Sequence, residues 1–109
     1  MNKHYADLPF KERLPKITKD AREAYATDLF EIDTIVTKIR MVASEGYDRC
    51  RIVQERPILL KDTDAFRKLS EWLHSHNLKT EWATRIIAAN DRSNPFGVET
   101  RLDELVIKW

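Results

Sequence analysis

Cysteine, glycine and long apolar runs are scarce in this chain, and each scarcity excludes a class of protein. Its 109 residues include one cysteine and two glycines. The single cysteine, Cys50, permits no intramolecular disulfide and no zinc site built from several thiolates. No apolar run reaches the length of a signal peptide or of a membrane span, so we expect a soluble cytoplasmic protein that does not engage a membrane.

Linkers and an excess of charge of one sign are also missing. The absence of Ser- or Pro-rich tracts predicts a single domain at residues 16–109, preceded by an arm at residues 1–15. Nineteen Lys and Arg residues nearly balance eighteen Asp and Glu residues, which leaves a net charge of +1. This balance provides no general attraction to nucleic acid or to an anionic membrane. The hydrophobic fraction of 42% and three Trp residues indicate a folded globule.

The clearest pattern in the sequence lies between Asp62 and Trp82. Asp62 or Thr63 can cap a helix, and Asn77 is suited to a left-handed stop. From Leu78 onward the apolar period changes from about 3.6 to two, which predicts a strand at 78–87. The apolar stripe of the helix consists of Ala65, Phe66, Leu69, Trp72, Leu73 and His76.

Two helices are predicted before this stretch. Pro15 precedes a helix at 16–27, in which Lys19, Asp20, Arg22 and Glu23 face water. A second amphipathic helix at 34–45 is capped by Asp33 or Thr34 and ends at Gly46. Before the first helix, three apolar residues are expected to anchor the arm on the body, namely Leu8, Phe10 and Leu14.

Two further strands complete the predicted fold. Residues 48–54 alternate with Cys50 inward, and the closing segment DELVIKW alternates with Trp109 inward. The order α-α-β-α-β-β predicts an α+β fold in which helices cover one face of a small three-stranded mixed sheet. We expect a right-handed crossover that makes the first two strands parallel, followed by a hairpin through the loop 88–101. Trp82 would share the core side with Trp109.

The sheet face opposite the helices is the candidate site, and three interpretations of it stay open. It is an ordinary solvated face, a protein interface, or a surface that contacts phosphates. Four apolar residues surrounded by the stems of basic side chains resemble an interface core with a polar rim, which favours a protein interface. The basic groups outnumber Glu81, the only acid predicted on this face, which favours contacts with phosphates. The predicted face holds Arg49, Arg51, Val53, Lys79, Glu81, Ala83, Arg85, Ile87, Val106 and Lys108.

Catalytic, cofactor and metal sites are not predicted. His74 and His76 are two residues apart on a helix and point in different directions, with His76 at the core edge. Cys50 is expected to be a small core residue. The sequence contains no nucleophile elbow, phosphate loop or zinc spacing. Phe96, in the long loop, is either an exposed anchor for a partner or a minor core residue.

The succession of elements in residues 30–109 resembles that of small bacteriophage-encoded α/β proteins. The features that carry the resemblance are a helix ending Ala-Ser-Glu-Gly, a short strand, the segment KLSEWLHSHNLKTEW and the terminal VIKW. Asn77 stands where such proteins more usually have glycine, and the arm and the 88–101 loop have no counterpart. The resemblance implies a phage or prophage accessory protein, virion-associated or acting on a host protein or defence system, and it implies no site residues.

These observations lead to a hypothesis of a non-enzymatic protein that works through an interaction surface. It is expected to form homo-oligomers and to bind a phage or host protein, without a cofactor. The alternative is a protein that binds nucleic acid or a nucleotide through the same basic face. The predicted interface consists of Arg49, Arg51, Val53, Ala83, Arg85, Phe96 and Val106.

Overall fold

The computed structural model describes residues 9–92, 94, 95 and 97–109. Within these residues the order α-α-β-α-β-β is the predicted one, and the α+β class is confirmed. The elements are α1 (Phe10–Leu29), α2 (Ile32–Ser44), β1 (Arg49–Val53), α3 (Asp64–Ser75), β2 (Lys79–Ile87) and β3 (Thr100–Lys108).

The three strands form an antiparallel sheet in the order β1-β3-β2. The prediction of a mixed sheet is therefore wrong. β1 and β2 do run in the same direction, because each is antiparallel to β3, but β3 lies between them. The reason is the composition of β3, in which Leu105, Val106 and Ile107 are consecutive and buried. A strand with apolar side chains on both faces is most stable at the centre of a sheet.

The register confirms the predicted faces of the strands. Ile52 and Trp82 both lie opposite Leu105, and these residues point toward the helices. The core between the sheet and the helices also contains Leu69 and Leu73 of α3, which are fully buried. An aromatic cluster closes its β2 side, because the Trp82 ring packs against the rings of Phe66 and Phe30, with centroids 5.0 and 6.3 Å away.

Trp109 does not belong to this core. It follows the last residue of β3 and is 41% exposed. Its backbone N–H donates to the carbonyl of Asp48, 3.0 Å away, so the chain end is held by backbone pairing. The prediction that Trp109 points inward is wrong, because the strand ends before the inward-facing position is reached.

Local signals fix the ends of α3 and the end of α2 as predicted. The Thr63 hydroxyl accepts from the N–H of Phe66 at the start of α3. Asn77 has a φ of 59°, and the N–H of Leu78 donates to the carbonyl of Leu73, which completes a Schellman turn. Gly46, with a φ of 97°, ends α2 in the same way. The start of α2 differs, since it begins at Ile32, before the predicted caps Asp33 and Thr34.

Helix α1 begins at Phe10 and continues through Pro15, so the predicted start at residue 16 is wrong. Proline removes one backbone hydrogen bond from the second turn, but it does not prevent helix on both sides of it. The structure does not describe Leu8, and whether residues 1–15 act as a separate arm stays a prediction.

Glu23 of α1 does not face water as expected. Its carboxylate accepts from the N–H groups of Asp64 and Ala65 at 2.9 and 3.0 Å, so α1 caps the first turn of α3. The hydroxyl of Tyr25 accepts from the N–H of Glu55, 2.9 Å away. These contacts attach the C-terminal half of α1 to the domain.

The molecule is flat and elongated, with extents of 54 × 38 × 18 Å. Its radius of gyration is 16.7 Å, whereas a compact domain of this length has about 13 Å. Two features extend it: the β2–β3 hairpin continues beyond Val53, where β1 ends, and the first half of α1 carries almost no shielded residues. An elongated shape leaves much of the surface available for contacts.

Candidate functional site: the open sheet face

The sheet face opposite the helices, here called the open face, is the candidate site. Its apolar residues are separate from the cluster that packs against the helices. The register places every second residue of each strand on this side, beginning with residue 49 in β1, residue 79 in β2 and residue 100 in β3. Its side chains are Arg49, Arg51, Val53, Lys79, Glu81, Ala83, Arg85, Ile87, Thr100, Leu102, Glu104, Val106 and Lys108.

Glu104 occupies the centre of the open face. It is 4% exposed and lies on the middle strand between Val53 and Ala83. Its carboxylate contacts Arg85 Nε at 3.0 Å and a guanidinium nitrogen of Arg51 at 3.6 Å. A shielded carboxylate needs such partners, because its charge is otherwise poorly solvated. The prediction that Glu81 is the only acid on this face is therefore wrong.

The apolar surface of the open face is small. Val106, Leu102 and Ile87 are buried although they lie on this face. Val53, at 38% exposure, and Ala83 stand on either side of Glu104 and remain accessible. The exposed apolar surface of the face thus consists of two small patches, separated by a carboxylate that is paired with two arginines.

The remaining cations of the face are largely paired as well. Lys108 Nζ lies 2.7 Å from the Glu81 carboxylate, and Arg49 Nε lies 3.1 Å from that of Asp48. The hydrogen bond from Lys108 and its positive charge lower the pKa of Glu81, and the positive charge of Arg49 acts in the same direction. Within the described residues Lys79 forms no ion pair. Five cations against three carboxylates leave an excess of two positive charges for a phosphate backbone.

The structure brings six of the predicted interface residues to the open face. They are Arg49, Arg51, Val53, Ala83, Arg85 and Val106. Phe96 lies outside the described residues, so the two alternatives for it stay open. The described part of its loop is held by Asn94, whose side-chain amide donates to the carbonyls of Ala88 and Val98 at 3.0 and 2.7 Å.

Sequence reasoning missed an apolar stripe on α1, formed by Phe10, Leu14 and Ile17. These residues are exposed, Phe10 to 67%, so the expectation that Phe10 and Leu14 anchor on the body is wrong. Leu14 and Leu59 line a groove of about 600 Å³ between α1 and the segment before α3. The spacing 10, 14, 17 is a helical signal, but it was masked by the assumption that the helix starts after Pro15.

Cys50 is buried in the core, as expected. It is 2% exposed and lies in β1 opposite Ile107. Burial raises the pKa of its thiol, and the positive charge of Lys38 offsets part of this effect. A protonated thiol that solvent cannot reach is a poor nucleophile.

We therefore expect the Cys50 thiol to react with a maleimide at least a hundredfold more slowly in the native protein than in urea. The comparison of labelling rates by mass spectrometry, at neutral pH with and without denaturant, measures this difference. A cysteine substituted for the exposed Met41 of α2 is the control, since it should label at the denatured rate in both conditions. Equal native rates at the two positions would show that Cys50 is accessible.

The two histidines near the end of α3 are both exposed. The ring of His76 stacks on that of Trp72, which packs against the core, with centroids 4.1 Å apart, so His76 lies at the outer edge of the core. In the part of the chain that the structure describes, His, Cys, Asp and Glu side chains form no group of three able to hold a metal ion. None of the helices there combines the length and the apolar character needed to cross a bilayer.

Protein-family models, curated proteins and solved structures yield no match to this chain.

Proposed function

We propose that this protein is a non-enzymatic interaction protein that self-associates and binds a protein partner through the open face. The observation that carries the proposal is the centre of that face, where Val53 and Ala83 flank the paired carboxylate of Glu104. The resemblance to small phage-encoded proteins points to a phage or host protein as the partner.

The arginines of the open face suit a protein surface. The Arg51 and Arg85 side chains remain 67% and 45% exposed while they contact Glu104. Their planar guanidinium groups keep free edges that can donate to a partner, and their stems can pack against apolar side chains. Arginine is enriched in interfaces for this reason.

The charge pairing favours a protein partner over nucleic acid. Binding to a phosphate backbone draws its affinity from cations that release counterions. Here Glu104 and Glu81 neutralise much of the charge of Arg51, Arg85 and Lys108. A nucleic-acid binder would show affinity for oligonucleotides that falls steeply with salt in a filter-binding assay, and we expect no such affinity.

Replacement of Val53 by glutamate tests the open face. We expect the substitution to lower the affinity for the partner at least tenfold, because a new carboxylate would be buried in the contact directly opposite that of Glu104. The measurement is the recovery of a stoichiometric partner when tagged protein is drawn from extract of its own cells, followed by a direct titration of that partner.

Met41→Glu is the matched control, because Met41 is exposed on α2, away from the sheet. It adds the same charge and should leave partner binding unchanged. Circular dichroism of both variants establishes that they are folded. Equal partner affinity for Val53→Glu and Met41→Glu would rule out the open face as the binding surface.

A further inference from the structure

We propose that β2 is a pairing edge for a second copy of this chain, and that the two copies form one continuous antiparallel sheet with Ala83 at the two-fold axis. The inference rests on the self-association part of the proposed function and is independent of what the open face binds. It follows from the exposure of the edge, the absence of a bulge or proline along it and its charge pattern.

The first argument is that, among the described residues, β2 is an outer strand whose backbone pairs on one side only. Its pairing with β3 runs from Lys79–Lys108 to Ile87–Thr100 with no residue skipped, so it contains no bulge. It contains no proline either. Bulges, prolines, very short strands and charged side chains are the usual protection of sheet edges against another chain, and of these β2 has only charged side chains, at Lys79, Glu81 and Arg85. The opposite edge is shorter, since β1 has five residues and β2 has nine.

The second argument is the exposure of apolar surface beside this edge. On the helix-bearing side of the sheet, Ile86 is 56% exposed. Of the described residues of β2, Trp82 packs against the core cluster, whereas Thr80 and Thr84 on the same side are exposed. A strand from a second copy placed alongside β2 would cover Ile86 and would pair with the backbone groups of β2 that no described strand contacts.

The third argument is the charge pattern, which selects the register. When β2 pairs with itself in antiparallel fashion about Ala83, all nine residues are matched. Glu81 then lies opposite Arg85 of the second copy, and the pair occurs twice by symmetry. Opposite charges directly across a strand pair are stabilising.

The neighbouring registers are less favourable. A two-fold axis perpendicular to the sheet keeps the open faces of both copies on one side. Residues directly opposite each other must then belong to the same face, so moving the centre by one residue shifts every partner by two. A pairing centred on Trp82 places Lys79 opposite Arg85 twice, and like charges at this position are destabilising. A pairing centred on Thr84 leaves Glu81 opposite Ile87. Only the pairing centred on Ala83 combines full overlap with charge complementarity.

The ion pairs within each chain are compatible with this arrangement. Arg85 contacts Glu104, and Glu81 contacts Lys108. In the pair of copies, acids and bases alternate along the open face across the junction. Nine matched residues also provide about eight to ten backbone hydrogen bonds. Pairing of sheet edges is an established mode of recognition between chains.

Crosslinking of single cysteines tests the register. We expect Ala83→Cys to form a covalent dimer with a short bis-maleimide, because residues directly opposite have Cβ atoms about 5 Å apart. Lys79→Cys should not crosslink, since the two sites lie about 27 Å apart along the strands. The wild-type chain is the blank, because its only thiol is the buried Cys50.

Val53→Cys distinguishes edge pairing from packing of the two open faces. With paired edges the two Val53 positions are separated by five strand spacings, or about 24 Å, and should not react. Crosslinking at Val53, or at Lys79 in place of Ala83, would overturn the proposed pairing while leaving self-association intact. Light scattering that gives the 12.9 kDa monomer at all concentrations would overturn both.

A charge variant provides an independent measurement. Glu81→Lys places like charges opposite Arg85 twice, and we expect it to raise the dimer dissociation constant at least tenfold. Lys108→Glu is the matched control, because it disrupts the same ion pair within the chain but leaves Glu81 and Arg85 in place. Equal dissociation constants for the two variants would count against the register centred on Ala83.

Discussion

Leu105→Ala is expected to lower the free energy of unfolding by about 2–5 kcal/mol, a large share of the 5–15 kcal/mol typical of a small domain. Leu105 is fully buried in the central strand, opposite Ile52 on one side and Trp82 on the other. Both neighbouring strands are held by backbone hydrogen bonds, so the surroundings cannot collapse into the space that the side chain leaves. The cavity term therefore adds to the lost burial.

Urea denaturation followed by tryptophan fluorescence measures the effect, with Leu59→Ala as the control. Leu59 is 43% exposed, so the same truncation there should change the free energy of unfolding by less than about 1 kcal/mol. The slope of the transition should remain unchanged if only the native state is affected. A loss below about 1 kcal/mol for Leu105→Ala would mean that the centre of the core lies elsewhere.

The ends of two helices could be predicted because their signals are local. Asn77 and Gly46 each adopt a positive φ, and the hydrogen bonds that follow join residues at most five apart. The faces of the strands could be predicted for the same reason, since alternation along a strand is a property of the backbone. Local geometry decides these features before any tertiary contact forms.

The order of the strands could not be predicted from alternation, because the period does not specify the neighbour of a strand. The run Leu105-Val106-Ile107 carried an overlooked signal, since consecutive apolar residues indicate burial on both faces and hence a central position. Glu104 alternates with Val106 and Lys108 in the predicted segment DELVIKW, so its place on this face could be predicted from the sequence and was overlooked. The residues of the open face were predicted, but the ion pairs among them depend on which strands are adjacent.

Glu23→Ala is the second substitution with a large expected effect, a loss of about 2 kcal/mol in the free energy of unfolding. The Glu23 carboxylate accepts from the first two N–H groups of α3, and hydrogen bonds to charged groups contribute about 1.5–3 kcal/mol. It also places a negative charge at the positive end of the helix dipole. Sequence reasoning assigned Glu23 to solvent, because a cap that comes from another helix leaves no local pattern.

Comparison with Glu23→Gln and a salt series separates the two contributions. Glutamine keeps one acceptor oxygen but directs its NH₂ group toward the other backbone N–H, so it should restore little of the loss. Asp28→Ala, which removes an exposed acid from the same helix, should have almost no effect. If the carboxylate acts through hydrogen bonds, the loss persists in molar salt, where exposed charges are screened. A loss that disappears at high salt would assign the effect to the dipole alone, and Thr63 would then be the principal cap of α3.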